Sequence, residues 1–211
     1  MMRENARFLE VPMPRAYLAA AERRALVLDA TAALVADRGF HATSVDDICR
    51  AAGLSAGGLY RHFRSKREIV VALVARDAEE TARRLGDAVA AAASPEEAVA
   101  ALVRVQLAPL QDRAVAVVRA EIVAEAARDP EVARAATEHD DGISAVVRGA
   151  LAAAAAPGSV AATAPEAAVE LLATVVDGIA ARCAMHGRWE VDWADLAAGV
   201  AHSLVAPGGA A

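Results

Sequence analysis

Apolar residues along this chain recur at spacings of three and four, and no segment alternates apolar and polar positions as a half-buried strand would. The pattern predicts helices alone, about nine of them. A first helix from about Ala19 to Arg38 buries Leu26, Ala30, Ala33 and Leu34 and stops at Gly39. The hydroxyls of Thr43 and Ser44 then cap a short helix, Val45 to Ala52, whose inner face is Val45, Ile48, Cys49 and Ala52. Gly53 supplies a tight turn by taking positive φ, and Leu54 anchors it. Ser55 caps a third helix in which Leu59 packs inward while Tyr60 and His62 face outward. Phe63 closes this small core, and Ser65 caps a long helix that opens at Lys66 and runs through Ile69, Val70, Leu73 and Val74 toward Leu85.

Further starts and stops are marked by side chains. Ser94-Pro95-Glu96-Glu97 joins a serine cap, a proline at the first helical position and acids in the first turn. The helix it opens carries Val99, Leu102, Val103 and Gln106 to about Leu110, and another covers Val115 to Ala127. Asp129-Pro130-Glu131 begins one that reaches Ala156, where Pro157-Gly158 stops it. Pro165-Glu166 opens a helix to about His186, and Asp192 caps the last, Trp193 to Leu204. The fold class is therefore all-α. We divide the chain into a leader (1–18), a three-helix unit (19–65), a helical body (66–205) and a disordered tail (206–211).

Two helices of this length joined by a glycine turn form a helix-turn-helix, which lays its second helix in the major groove of DNA. Charge supports that reading only once it is divided. The net charge of −6 argues against nucleic acid, but residues 1–75 hold 11 Arg and Lys against 8 Asp and Glu, leaving −9 to the remainder. A basic head on an acidic body suits a protein that touches DNA at one end. Lys66 is the chain's single lysine, at a helix start where the dipole disfavours a cation, so an arriving phosphate would account for it. Arg3, Arg7 and Arg15 of the leader form either a minor-groove arm or part of a frayed end.

The run Ala-Ala-Gly-Leu-Ser from Ala51, followed by Gly57-Gly58-Leu59-Tyr60-x-His62-Phe63-x-Ser65-Lys66, resembles the DNA-binding domain of the TetR family of transcriptional regulators. The similarity covers roughly residues 23 to 75. It implies that Tyr60 and Lys66 contact phosphates, helped by Thr43 and Ser44, and that Ala56, Gly57 and Gly58 face the bases, with the cap Ser55 in the same DNA-binding set. This chain departs from relatives with long polar side chains there: glycine offers no donor, and alanine only a methyl for thymine. Readout then falls to Arg61, His62, Arg50 and DNA shape. The resemblance further implies that the last two helices pair with those of a second copy. Val169, Leu172, Val176, Ile179 and Cys183, with Trp193, Leu196 and Val200, are the expected interface, the alternative being closure of a monomer core. A homodimer predicts a palindromic double-stranded operator with half-sites about one DNA turn apart.

In the resembling family the body holds a small molecule. Leu102, Val105, Gln106, Val118, Ile122, Val146 and Val175 are the expected lining, with Glu121, Glu125, His139, Thr174 and Asp177 as polar candidates. Hydrophobic residues make up 56% of the chain and aromatics 3%, so the expected effector is apolar. No cofactor or metal is expected. Glu138-His139-Asp140-Asp141 cannot converge from consecutive helical positions, the spacing from Gly57 to Lys66 is wrong for a phosphate loop, and no Gly-x-Ser-x-Gly elbow occurs. No enzyme chemistry is therefore read. Arg3, Glu4, Arg7 and Glu10 break any signal peptide, no apolar run would span a membrane, and Cys49 and Cys183 read as buried free thiols of a cytoplasmic protein. The sequence thus points to a dimeric repressor released by a small molecule, the alternative being a DNA-binding regulator whose body engages a protein partner.

Overall fold

Eight helix starts among the described residues are fixed by a side chain accepting a hydrogen bond from a backbone N–H two or three residues on: Ser44, Ser55, Ser65, Ser94, Asp112, Asp129, Ser159 and Asp192. Each such cap is worth about 1 kcal/mol. The computed structural model describes residues 20–186 and 192–207, and the regular structure among them is entirely helical. The leader (1–18), with Arg3, Arg7 and Arg15, and positions 208–211 of the expected tail lie outside the described residues.

The helices are α1 (Ala20–Ala42), α2 (Val45–Ala52), α3 (Ala56–Tyr60), α4 (Lys66–Ala91), α5 (Pro95–Leu107), α6 (Arg113–Ala126), α7 (Pro130–Ala154), α8 (Val160–Thr163), α9 (Pro165–His186) and α10 (Trp193–Val205). A single 3-10 turn, Ala108–Gln111, separates α5 from α6. The four-residue α8 goes beyond the nine helices expected, because it is too short to show a period. Gly39 does not end α1 outright. It breaks it, with φ 78 and ψ 165, and the chain coils on to Ala42.

Two cores form. In the head, Val27, Val35, Phe40, Ile48, Leu59, Phe63, Ile69 and Leu73 pack together, joined by Val132 of α7 and flanked by Val118 and Ile122 of α6. In the body, Leu85, Leu102, Leu107, Leu151, Leu172, Val176 and Leu204 form the second cluster. Helix α4 spans about 39 Å at 1.5 Å per residue. It enters the head core at Ile69 and the body core at Leu85, so packing continues across the expected boundary at 65/66.

Two expectations about faces need correcting. Helix α1 buries Val27, Leu28, Thr31 and Val35, whereas Ala33 is exposed and Leu26, Ala30 and Leu34 are half-buried. The stripe shifts because Thr31 donates its hydroxyl to the Val27 carbonyl (2.7 Å) and so passes as a core residue. More consequentially, Val169, Leu172, Val176, Ile179 and Cys183 are all buried in the protein's own core, with Trp193, Leu196 and Val200 packed against it. The stripe assigned to a dimer is core because α9 rests on α6 and α7, and α10 on α5. The outward face of α9 instead shows Leu171 (48% exposed), Gly178 and Met185 (68% exposed), and that of α10 shows Ala198 and Gly199.

Leu172→Ala should accordingly cost about 2–5 kcal/mol in urea unfolding of the protein. Leu171→Ala at low protein concentration should stay within about 0.5 kcal/mol. Equal effects would contradict this assignment of faces.

Candidate functional site

The helix-turn-helix is built from its caps outward. Ser44 and Asp47 cap one another: the Ser44 hydroxyl accepts from the Asp47 N–H (3.1 Å), and the Asp47 carboxylate accepts from the Ser44 N–H and hydroxyl. Asp47 also holds Arg50 at 3.0 Å and lies 3.7 Å from Arg38, so one carboxylate orients two guanidiniums at this face. Those hydrogen bonds from Ser44, followed by the nearby arginine charges, pull the Asp47 carboxyl down to about 2. Gly53 takes the left-handed conformation (φ 66, ψ 37) that makes the turn into Ser55.

Helix α3 presents Ala56 and Gly57 to solvent, leaves Gly58 half-buried, and points Leu59 into the core. A Cβ built on Gly57 meets nothing within 4 Å, while one on Gly58 would lie 3.3 Å from the Ser55 hydroxyl. Ser55 accepts from the Gly58 N–H. Tyr60 is 51% exposed and Arg61 is exposed. His62 is half-buried, its carbonyl accepting from Arg24, whose guanidinium lies 4.3 Å above the Phe63 ring. Ser44, Ser55, Ala56, Gly57, Tyr60 and Arg61 are thus all exposed.

Thr43 does not. It is 1% exposed and donates its hydroxyl to the Gly39 carbonyl (2.8 Å), so it supports the segment from within and offers nothing to a phosphate. Lys66 also has an internal partner, donating from Nζ to the Phe40 carbonyl. Its placement at a helix start is therefore explained without a phosphate. The neighbouring Phe40 N–H donates to the Glu121 carboxylate of α6 at 2.8 Å. Groups from three elements thus clamp the backbone of Gly39 and Phe40. Arg67 reaches the Asp129 cap of α7, tying α4 to the body beside the head. The capping spacing Ser44-x-x-Asp47 could have disclosed Asp47 from sequence, whereas Glu121 carried no local signal.

Behind the head, α1, α4, α5, α6 and α7, with Asp177 of α9, line a partly open cavity of about 530 Å3. Val105, Gln106, Val118 and Ile122 line it as expected, but Leu102, Val146 and Val175 belong to the body core and do not. Of the polar candidates His139 and Asp177 line it. Glu121 is engaged with Phe40, Glu125 lies near Arg128, and the Thr174 hydroxyl donates to the Glu170 carbonyl. The wall is far more charged than composition suggested, with Asp29, Arg76, Asp77, Glu80, Arg84, Arg119, Asp140 and Asp177 in it. His139 is largely buried between Asp77 (3.7 Å) and Asp140 (3.6 Å). Desolvation, the largest influence on Asp140, raises its carboxyl above the ordinary carboxylate value.

An exposed helix-turn-helix mounted on an all-helical body with an internal cavity defines a class, that of helix-turn-helix proteins with a ligand-sized chamber. The chain belongs to the TetR family: residues 27–73 match the model for bacterial regulatory proteins of the tetR family, and 95–205 match the C-terminal model of BetI-type transcriptional repressors. It is 31% identical over 110 residues to the HTH-type transcriptional regulator UidR of Escherichia coli, covering 52% of this chain and 55% of UidR. The matched region is thus about half the length of that relative. Salmonella enterica GusR superposes with a TM-score of 0.71 at 28% identity, over 90% of this chain and 98% of that one. Bacillus subtilis FadR, solved in complex with stearoyl-CoA, shares the fold with a TM-score of 0.73 at 20% identity, over 86% and 97% of the two chains. The family models and UidR describe regulators and not enzymes.

Because the Asp47 carboxyl titrates below its unfolded value of about 4, its contribution to the α2 cap is present at neutral pH and lost as pH falls toward about 2. An NMR titration should find Asp47 still ionised at pH 3, with faster amide exchange in α2 only below that. Titration at the ordinary value would refute the network.

Proposed function

We propose that this protein is a transcriptional repressor that binds a palindromic operator as a homodimer and is released by a small molecule held in its cavity. One observation carries the reading: the chamber and the DNA-facing head share helices. Helix α6 lines the cavity through Val118 and Ile122 and, one residue before Ile122, grips the head through Glu121 and Phe40. Helices α1 and α4 likewise line the cavity and enter the head core. A molecule that displaces α6 or α4 therefore moves the head without touching DNA. It releases the protein only if it binds the DNA-incompetent arrangement more tightly than the competent one. A chamber of about 530 Å3 suits a small molecule better than a protein segment, which is why we favour this over the protein-partner reading.

The dimer we propose uses the outward face of α9 and α10: Leu171, Gly178 and Met185 with Ala198 and Gly199. Small residues there let helices from two copies approach closely, while Leu171 and Met185 supply the apolar area. Two-fold symmetry sets two α3 helices about 34 Å apart, one turn of DNA. Tyr60 and Ser44 contact phosphates, and Gly57 lets the α3 backbone approach the groove, in the cytoplasm where the DNA lies.

Selection of the purified full chain against random duplex DNA, with its mass measured alongside, tests this. A palindrome bound by a dimer is the expected result; no enrichment at low salt overturns it. Gly57→Gln should change the preferred base at one position per half-site while folding normally, since its side chain meets open space. Tyr60→Phe should weaken all sequences alike, by about fivefold. Leu171→Glu with Met185→Glu should yield a monomer whose operator affinity falls about a hundredfold. A double variant that remains dimeric would refute the proposed interface.

A further inference from the structure

The charges in the cavity wall are unequal, and their pairing leaves one corner distinct. Five carboxylates and three guanidiniums line the chamber. Each guanidinium is engaged: Arg76 with Asp29 (2.6 Å), Arg119 with Asp177 (2.9 Å), and Arg84 with Glu80. The two carboxylates outside these pairs are Asp77 and Asp140, on either side of His139, both beyond hydrogen-bond reach of the ring. His139 Nε2 is fully buried and has no hydrogen-bond partner among the described residues. The ring therefore sits between two carboxylates without a hydrogen bond to either, and no guanidinium of the wall neutralises them. Leu73, Val118, Ile122 and Ile143 line the same chamber with aliphatic surface.

We propose that the cavity selects an amphipathic organic cation, of the alkylammonium type, with its head group between Asp77, Asp140 and His139 and its apolar body on Leu73, Val118 and Ile122. The inference rests on reading the cavity as the effector site and adds the chemistry of the effector. Asp77 and Asp140 are mostly exposed at the mouth of the chamber, and two carboxylates flanking one point both gain from a cation placed between them. The Asp77 and Asp140 oxygens flanking the His139 ring accept the N–H groups of an ammonium head. An anionic head would meet the same two carboxylates with no guanidinium left to receive it, and a neutral alkane would leave both without a counter-charge. The expected effector is thus amphipathic and positively charged, in place of the plainly apolar one that composition suggested.

A matched series separates head from tail: dodecylammonium, dodecanol and dodecanoate share one chain and differ only in charge. Calorimetric titration into the full-length protein should rank dodecylammonium at least about tenfold tighter than dodecanol, with dodecanoate weakest. Asp77→Asn combined with Asp140→Asn should bring dodecylammonium to the affinity of dodecanol and leave dodecanol unchanged. Dodecanoate binding as tightly as dodecylammonium, a preference that survives the double variant, or no binding by any of the three would each overturn the proposal. Should the double variant fail to fold, the ranking on the natural chain decides. Repeating the titration on the operator complex separates the two readings. Release by dodecanoate keeps the effector role and refutes the cation, whereas preferred binding of dodecylammonium without release keeps the cation and refutes the effector role.

Discussion

The hydrogen bond from the Phe40 N–H to the Glu121 carboxylate sets how the head sits on the body. It falls where α1 breaks, and the break exists because Gly39 takes φ 78. A Cβ at Gly39 would stand 3.0 to 3.2 Å from the Glu121 carboxylate, so backbone angle and space both require glycine here. The Gly39 carbonyl receives the Thr43 hydroxyl, and the Phe40 carbonyl receives Lys66. Backbone groups freed by the break are thus satisfied by the entry to α2, the start of α4 and the middle of α6. Each of those elements then has a fixed position relative to the others, and α3 inherits its position from them.

That arrangement explains why head and chamber are not independent parts. The head core is incomplete without Val132 of α7, Val118 and Ile122 of α6, and the first turns of α4. The chamber is walled by some of the same helices, and Leu73, Val118 and Ile122 belong to both. Close-packed interiors pass displacement from one side of a helix to the other, because a shifted side chain has nowhere to relax. The chain thus links chamber and head with two-sided helices and no flexible linker. Charges outside the chamber strengthen the join, as Arg67 shows by bridging α4 to the Asp129 cap of α7.

Local chemistry was legible in the sequence, and faces were not. Ser44, Ser55, Ser65, Ser94, Asp129 and Asp192 each act as the cap their position suggested, since a cap is decided within four residues. Gly53 adopts the left-handed turn for the same reason. By contrast, the stripe from Val169 to Cys183 shows that α9 has a buried face without saying which neighbour covers it. A helix with apolar residues on most of its circumference looks the same whether its partner is α6 or a second copy. Thr31 misled in the other direction, a polar residue satisfied by its own helix and therefore able to enter the core. His139 and Asp177 were among the polar candidates, but the charged chamber was hidden because Asp77 and Arg119 carry no local signal in the sequence. Only the packing of α4 against α7 brings Asp77 to His139.

Gly39 and Gly57 make opposite cases for why a glycine stands where it does. At Gly39 the fold demands one. At Gly57 it does not: the residue is helical, its φ is negative, and any side chain would project into open space. Two successive glycines in a five-residue helix weaken that helix by about 1 kcal/mol each relative to alanine. Nothing in the packing of Gly57 recovers that loss, and in the repressor we propose the compensation is the close approach of α3 to DNA. A thin helix lets its backbone come nearer to a partner than any side chain would permit. In the repressor we propose, sequence discrimination then falls to groups beside α3, chiefly Arg61 and the Asp47-held Arg50, and to how readily the duplex deforms to admit so close a contact.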